Sequence, residues 1–120
     1  MDHMQRPPGK TTIEPDVLVA IARLTALNVP GVNRLTAMPG TVDRLFQRGA
    51  NEGVHISLEN NVVSADLYVI LNRDVDVREV SRSIQSQVAR AISEMVGMEV
   101  GRIDIHIEDI DYNNSTQPEA

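Results

Sequence analysis

The sequence predicts an α+β fold, a two-layer sandwich with a three-stranded sheet and elements in the order α-β-β-α-β. Two segments carry apolar residues at helical spacing, and three segments have the apolar content and alternation of strands. One face of the predicted sheet is apolar and the other is polar, so we expect both helices to pack on the apolar face. The two strands that flank the second helix are expected to lie parallel in one sheet.

The first helix is predicted from about Pro15 to Asn28. Proline suits a first helical turn, where no N–H is needed, and Pro30-Gly31 ends the helix. Its apolar residues run almost around the cylinder, in one stripe of Val17, Ile21, Leu24 and Leu27 and a second set beside it. One small sheet cannot cover both sets. The second layer of cover is either the other helix or another subunit. We predict that the second set forms an interface with another molecule: Leu18, Val19, Ala22 and Ala26.

A hairpin is predicted after an irregular stretch, residues 32–52, in which Val42, Leu45 and Phe46 suggest a short helix. Asn60-Asn61 separates the two strands, and asparagine tolerates the positive φ that a two-residue type I′ turn requires. This turn fixes the register, and a slip by one residue would mix apolar with polar residues on each face. The predicted pairs are Val54–Leu67, Ile56–Ala65 and Leu58–Val63 on one face, and His55–Asp66, Ser57–Ser64 and Glu59–Val62 on the other.

The second helix and the last strand complete the fold. Asp76 followed by Glu79 is a helix start of the capping-box type, and Gly97 suits the left-handed position after the last turn. The last strand, about residues 99–110, alternates isoleucines with charged residues. The strand–helix junction at 72–76 contains no glycine, so it does not have the backbone of a phosphate-binding loop.

Length and composition predict one domain, residues 12–111, between a disordered N-terminal arm (1–11) and a disordered C-terminal tail (112–120). The 120 residues include no cysteine, which excludes disulfides, thiolate metal sites and cysteine nucleophiles. The N-terminus lacks the apolar core of a signal peptide, and the longest apolar run is far too short to span a membrane. We expect a cytoplasmic protein with no direct insertion into the membrane.

The sequence points to no catalytic residue, cofactor or metal, so a non-enzymatic protein is expected. His55, Asp66 and His106 are the strongest metal candidates, and they converge only if the last strand lies beside the first. No spacing of a known metal motif supports them. Asp66, Asp104 and Glu108 are carboxylates on the polar sheet face, which more often serve solubility than acid–base catalysis. The helix serines have no histidine nearby in the sequence.

Nucleic-acid binding is the alternative from another class. An α-β-β-α-β order is similar to that of K-homology modules, which hold the nucleic-acid backbone with a GxxG loop. This chain has no GxxG, although Arg78, Arg82 and Arg90 form a basic stripe on the predicted second helix. Its net charge of −6 also opposes binding by counterion release. Nucleic acid is therefore not an expected partner.

Two stretches resemble the alkaline-shock-protein family of Gram-positive bacteria, also called general-stress or envelope-stress-response proteins. They are "TIEPDVLVAIARLTALNVPGV" and "GVHISLENNVVSADLYVILNRDVDVREVSRSIQSQVARAISEMVGMEVGRIDIHIEDI". The resemblance covers about residues 12–110. It implies a non-enzymatic protein of cell-envelope homeostasis that forms homo-oligomers. It also implies a location at the inner face of the membrane through an integral-membrane anchoring protein.

Overall fold

The computed structural model describes residues 8–39 and 52–113. Its elements are α1 (Pro15–Leu27), β1 (Val32–Leu35), β2 (Val54–Glu59), β3 (Val62–Asn72), α2 (Val77–Val96) and β4 (Glu99–Asp111). The predicted α+β class is confirmed, with two helices on one face of the sheet. The predicted disorder of residues 1–7 and 114–120, and the predicted short helix at Val42, Leu45 and Phe46, lie outside the described residues.

The sheet is built around β3, its longest inner strand. β4 lies parallel to β3 along one edge, from Val62↔Glu99 to Asn72↔Asp111, as expected for the strands that flank α2. β1 and β2 both lie antiparallel to β3 on the other edge, β1 opposite residues 69–71 and β2 opposite residues 62–67. The N–H of Tyr68 donates to Gly53 and its carbonyl accepts from Thr36, both at 2.9 Å, so β1 and β2 follow one another along the same edge.

The described residues thus form a sheet of four strands, where the sequence predicted three. The additional strand, β1, has only four residues and an irregular register between Val32 and Arg34. Such a short and irregular strand has no alternation to reveal it. The sheet is still three strands wide, because β1 and β2 share one edge.

The hairpin of β2 and β3 has the predicted register in all six pairs, from Val54↔Leu67 to Glu59↔Val62. Asn60 and Asn61 adopt φ of 54° and 65°, the left-handed conformation that a type I′ turn requires. The core lies between this sheet and the helices, and its largest fully buried side chains include Leu18, Leu67 and Ile84. The alternation of β3 therefore places Asp66 and Tyr68 on the opposite, open face.

The helix ends of α2 follow the sequence prediction. Oδ1 of Asp76 accepts a hydrogen bond from the N–H of Glu79 at 3.1 Å, and Gly97 has φ 75° after the last turn. α1 differs, because Glu14 occupies its N-cap position and its side chain makes no capping hydrogen bond. Burial against the core, and not capping, therefore holds α1 in place.

Candidate interaction surfaces

The four residues predicted as an interface are buried inside this chain. Leu18, Val19, Ala22 and Ala26 have exposed fractions of 1%, 3%, 0% and 0%. The sequence shows that α1 has two apolar sides, but our prediction exchanged them. The side that we expected at an interface is the one that is buried. Small side chains such as Ala22 and Ala26 let a helix approach its neighbours closely, and this side packs into the core. We therefore correct the interface prediction: these four side chains offer no surface to a second molecule.

The other side of α1 is the one that reaches solvent. Val17, Leu24 and Leu27 are exposed by 44%, 52% and 37%, and Met95 of α2 is exposed by 70%. Isolated exposed apolar residues are common on protein surfaces, whereas a contiguous group indicates a binding surface. The signal was present in the sequence, since Val17 and Leu24 lie two helical turns apart on one stripe.

Val17, Leu24 and Met95 line a groove, which we call the α1–α2 groove. It has a volume of about 410 Å³ and is lined by Asp16, Val17, Ala20, Ile21, Leu24, Thr25 and Met95. Apart from Asp16 and Thr25 its lining is apolar. A groove of this shape between two helices suits apolar side chains from a partner, as in the docking of an amphipathic helix. Met95 adds an unbranched side chain that adapts to different shapes.

The open sheet face carries a polar network centred on Asp66. Nε2 of His106 lies 3.0 Å from Oδ1 of Asp66, and Nδ1 of His55 lies 3.5 Å from Oδ2. Arg102 joins from β4, with Nη2 4.0 Å from Asp66 and Nε 3.0 Å from Oδ2 of Asp104. His55, Asp66 and His106 do converge, although β4 lies beside β3 and not beside β2, because β3 places Asp66 between the two histidines.

The network links three strands by hydrogen bonds and ion pairs. The two histidines contact different oxygens of the Asp66 carboxylate. The carboxylate therefore lies between the two imidazoles, in the position that a metal ion shared by them would need. Within residues 8–39 and 52–113, no group of three or more such side chains is arranged to hold a metal ion. The arrangement can orient the two imidazoles and fix β2 and β4 on the open face.

Tyr68 extends the network through its ring. It stacks on His106 with centroids 4.4 Å apart and planes 11° from parallel. The pKa of the Tyr68 hydroxyl is raised by partial burial, and further by the negative charges of Asp66 and Glu108. The neutral phenol is therefore the form that the folded state favours.

The three arginines proposed for nucleic-acid contact lie on the exposed side of α2, as predicted. Nε of Arg90 is 3.2 Å from Oε2 of Glu94, so a carboxylate one turn away offsets its charge. Arg78 and Arg82 line a shallow groove that also contains Asp76. Acidic residues lie among and beside these arginines at Asp76, Glu79 and Glu94, so the helix does not carry the continuous basic stripe that phosphate backbones require.

The helices of the described segments are α1 and α2, and neither combines the length and hydropathy that crossing a membrane demands. This finding concerns residues 8–39 and 52–113.

Solved structures with a similar fold are forms of the MamM CTD. The copper form has a TM-score of 0.56 and 12% sequence identity, over 88% of this chain and 96% of that chain. A zinc form of a variant has a TM-score of 0.51 and 12% identity, over 87% of this chain and 94% of that chain. At this identity the likeness shows the fold alone.

Two bacterial relatives match nearly the whole chain. The protein YqhY of Bacillus subtilis is 28% identical over 119 residues, which cover 98% of this chain and 88% of the relative. The protein Spy1535 of Streptococcus pyogenes serotype M6 is 30% identical over 112 residues, covering 92% and 86%. The model of the alkaline-shock-protein family, described by a cell envelope-related function, matches residues 3–112. The chain therefore belongs to the alkaline-shock-protein family, as its sequence resemblance implies.

Proposed function

We propose that this protein is a non-enzymatic scaffold of cell-envelope stress homeostasis. It self-associates and docks on an integral-membrane partner at the cytoplasmic face of the membrane. The cell envelope-related function of the alkaline-shock-protein family supports the setting. The molecular role is our inference from the surface of the domain.

The α1–α2 groove carries the proposal. A domain of this size has a small core, yet Val17, Leu24 and Met95 remain partly in water. Fully burying one such side chain contributes about 1.5–3 kcal/mol of stability. A partner that covers the groove recovers part of that energy. We assign the groove to the membrane partner, whose docking segment presents apolar side chains from an amphipathic helix.

A binding role is also consistent with the polar sheet face. Asp66 contacts His55, His106 and Arg102, so its oxygens are engaged within the network. Asp104 is held by Arg102. An acid–base catalyst needs a carboxyl group or imidazole positioned against a substrate in a cleft, whereas these groups lie on the open face of the sheet.

A pull-down from detergent-solubilised membranes tests the docking. The bait is the full chain, compared with Leu24→Glu, Met95→Glu and the control Gln87→Glu. Leu24 and Met95 line the groove, whereas Gln87 is exposed on α2 outside it. We expect the parent and Gln87→Glu to retain the same integral-membrane protein, and both groove variants to lose at least 90% of it, because a buried carboxylate without a partner is costly.

Thermal melts of all four proteins control for unfolding. Recovery of the same membrane protein with the parent and both groove variants would remove the groove from the proposal. Recovery of no membrane protein with any bait would contradict the docking role itself.

A further inference from the structure

The outer edge of β4 is the second surface that the fold leaves open. Among the described strands β4 pairs with β3 alone. The backbone N–H and C=O of Tyr68 point toward β2 and β1. Those of its neighbours Leu67 and Val69 therefore point to the other side, toward β4. Parallel pairing then joins these two residues to Asp104 and His106. The backbone groups of the alternate residues in β4 consequently point away from the sheet: Ile103, Ile105 and Ile107.

A side-chain contact agrees with this direction. Nε2 of Gln85 in α2 donates to the carbonyl of Ile103 at 3.0 Å, which places that carbonyl on the outer edge. The regular part of the edge runs from 103 to 107, because the register shifts before Ile103 and after Ile107. Unpaired backbone groups of an edge strand are a template for another strand.

We propose that two copies of this chain pair through the outer edges of their β4 strands, antiparallel, about a two-fold axis at Ile105. The inference rests on the self-association proposed above and names its surface. In this register the outward-pointing backbone groups face each other in the pairs Ile103–Ile107, Ile105–Ile105 and Ile107–Ile103. About six backbone hydrogen bonds form. The Gln85 amide must release Ile103 in each copy, which offsets part of this gain.

The charges on the open sheet face match in the same register. Arg102 of one copy faces Glu108 of the other, which is the pair of opposite charge. Asp104 faces the imidazole of His106, which also contacts Asp66 within its own chain. Cross-strand pairs of opposite charge stabilise a sheet, and like charges directly opposite destabilise it. Moving the axis to residue 104 would place Asp104 against Asp104, and moving it to residue 106 would place Asp104 against Glu108. Within residues 102–108, the axis at Ile105 alone pairs all three isoleucines with one another and opposes no like charges. The same register at the strand ends brings Glu99 opposite Asp111.

The helix-covered side of the edge also has room for a second copy. Ile105 and Ile107 lie on the core face of the sheet but are only half-buried. A groove of about 620 Å³ lies between α2 and this edge, lined by residues that include Val77, Ser81 and Ile107. Arg78 and Arg82 also line it, together with Asp76. Pairing joins the isoleucines of both copies beneath the two α2 helices and removes them from water.

Charge reversal tests the register by sedimentation equilibrium of the full chain. Arg102→Glu and Glu108→Arg each place like charges opposite one another twice in a homodimer, so we expect each variant to dimerise at least tenfold more weakly than the parent. An equimolar mixture of the two restores opposite charges at both positions, and so does the double variant. Both are expected to dimerise like the parent. Glu108 is exposed, so Glu108→Arg is the variant whose folding is least at risk.

Disulfide formation gives a second readout. The chain contains no cysteine, so Ile105→Cys provides one thiol at the axis. Facing Cα atoms of a hydrogen-bonded antiparallel pair lie about 5.5 Å apart, within the range that a disulfide spans. Mild oxidation is expected to link this variant into dimers and to leave Ser86→Cys, on the exposed side of α2, mostly monomeric.

The outcomes separate this inference from the proposed function. A parent that self-associates while both charge reversals associate equally well, and Ile105→Cys forms no more dimer than Ser86→Cys, overturns the β4 pairing and leaves self-association standing. A parent that stays monomeric throughout the concentration range overturns both. The membrane pull-down concerns the α1–α2 groove, and its result is independent of either.

Discussion

Gly53 lies at the point on the edge of β3 where the pairing with β1 ends and the pairing with β2 begins. Its φ is +83°, and a Cβ atom added there would lie 2.6 Å from the carbonyl oxygen of Thr36. We expect Gly53→Ala to lower the free energy of unfolding by about 2 kcal/mol or more, since positive φ and a backbone clash combine. Urea denaturation measures the loss.

Gly97 provides the matched control for this substitution. It has φ +75°, but nothing lies within 4 Å of an added Cβ. Gly97→Ala therefore carries only the conformational penalty, about 1 kcal/mol. Equal losses in the two variants would show that the junction of β1 and β2 is not tightly packed against Gly53.

Tyr68 gives a prediction of pH dependence. Because folding raises the pKa of its hydroxyl, the stabilisation is fully present below the unfolded pKa of about 10 and is lost as the pH rises through the folded pKa. Tyr68→Phe should therefore lose less stability than the parent when the pH is raised from about 9 to 11. Chemical denaturation at a series of pH values provides the comparison.

Absorbance titration tests whether Tyr68 is the source of this pH dependence. The chain has two tyrosines, and Tyr112 is 69% exposed. In Tyr112→Phe, the phenolate signal of Tyr68 should appear at higher pH in the folded protein than in the urea-unfolded chain. The opposite order would mean that burial and the charges of Asp66 and Glu108 do not act on Tyr68 as described.

At the scale of elements, α2 depends on its N-terminal cap. Asp76→Ala removes the acceptor of the Glu79 N–H and should lower the free energy of unfolding by about 1 kcal/mol. Asp76→Asn keeps an acceptor in the same place, so its loss should be only a few tenths of a kcal/mol, about the size of the helix-dipole contribution. Thermal or urea unfolding that shows the same loss for both variants would assign the effect to charge and not to the cap.

The elements also show what sequence patterns can and cannot resolve. The β2–β3 hairpin was predictable residue by residue, because turn chemistry and two-fold alternation agree on one register. β1 was not predictable, because it pairs with residues 69–71, which are distant in sequence, and its four irregular residues show no strand pattern. The orientation of α1 was harder to predict. The stripe that includes Val17 and Leu24 was visible in the sequence, but a helix that is apolar on nearly all sides does not show which side is buried.

The Asp66 network was predictable only in part. Register alone places His55 opposite Asp66, but the contact with His106 requires that β4 lie beside β3. Strand order follows from the packing of the whole chain and not from any local pattern. The α1–α2 groove could not be predicted from a local pattern either, because it is formed by side chains of two helices that are distant in sequence.

At the scale of the molecule, the fold assigns separate faces to separate contacts. The helix layer presents the α1–α2 groove, the open sheet face is fixed by the Asp66 network, and the outer edge of β4 is the surface that we propose for self-association. A scaffold needs more than one contact surface, because a single surface forms only closed pairs. In the function that we propose, the groove and the edge together would let a self-associated protein remain bound to a membrane partner.

Co-sedimentation with membranes tests the central claim most directly. The purified chain is mixed with washed membranes, with the same membranes after protease treatment of their cytoplasmic face, and with protein-free vesicles of the same lipids. A chain that docks on a membrane protein pellets with untreated membranes and stays in solution with the other two. A chain that pellets equally with protein-free vesicles, or with none of the three, contradicts the account.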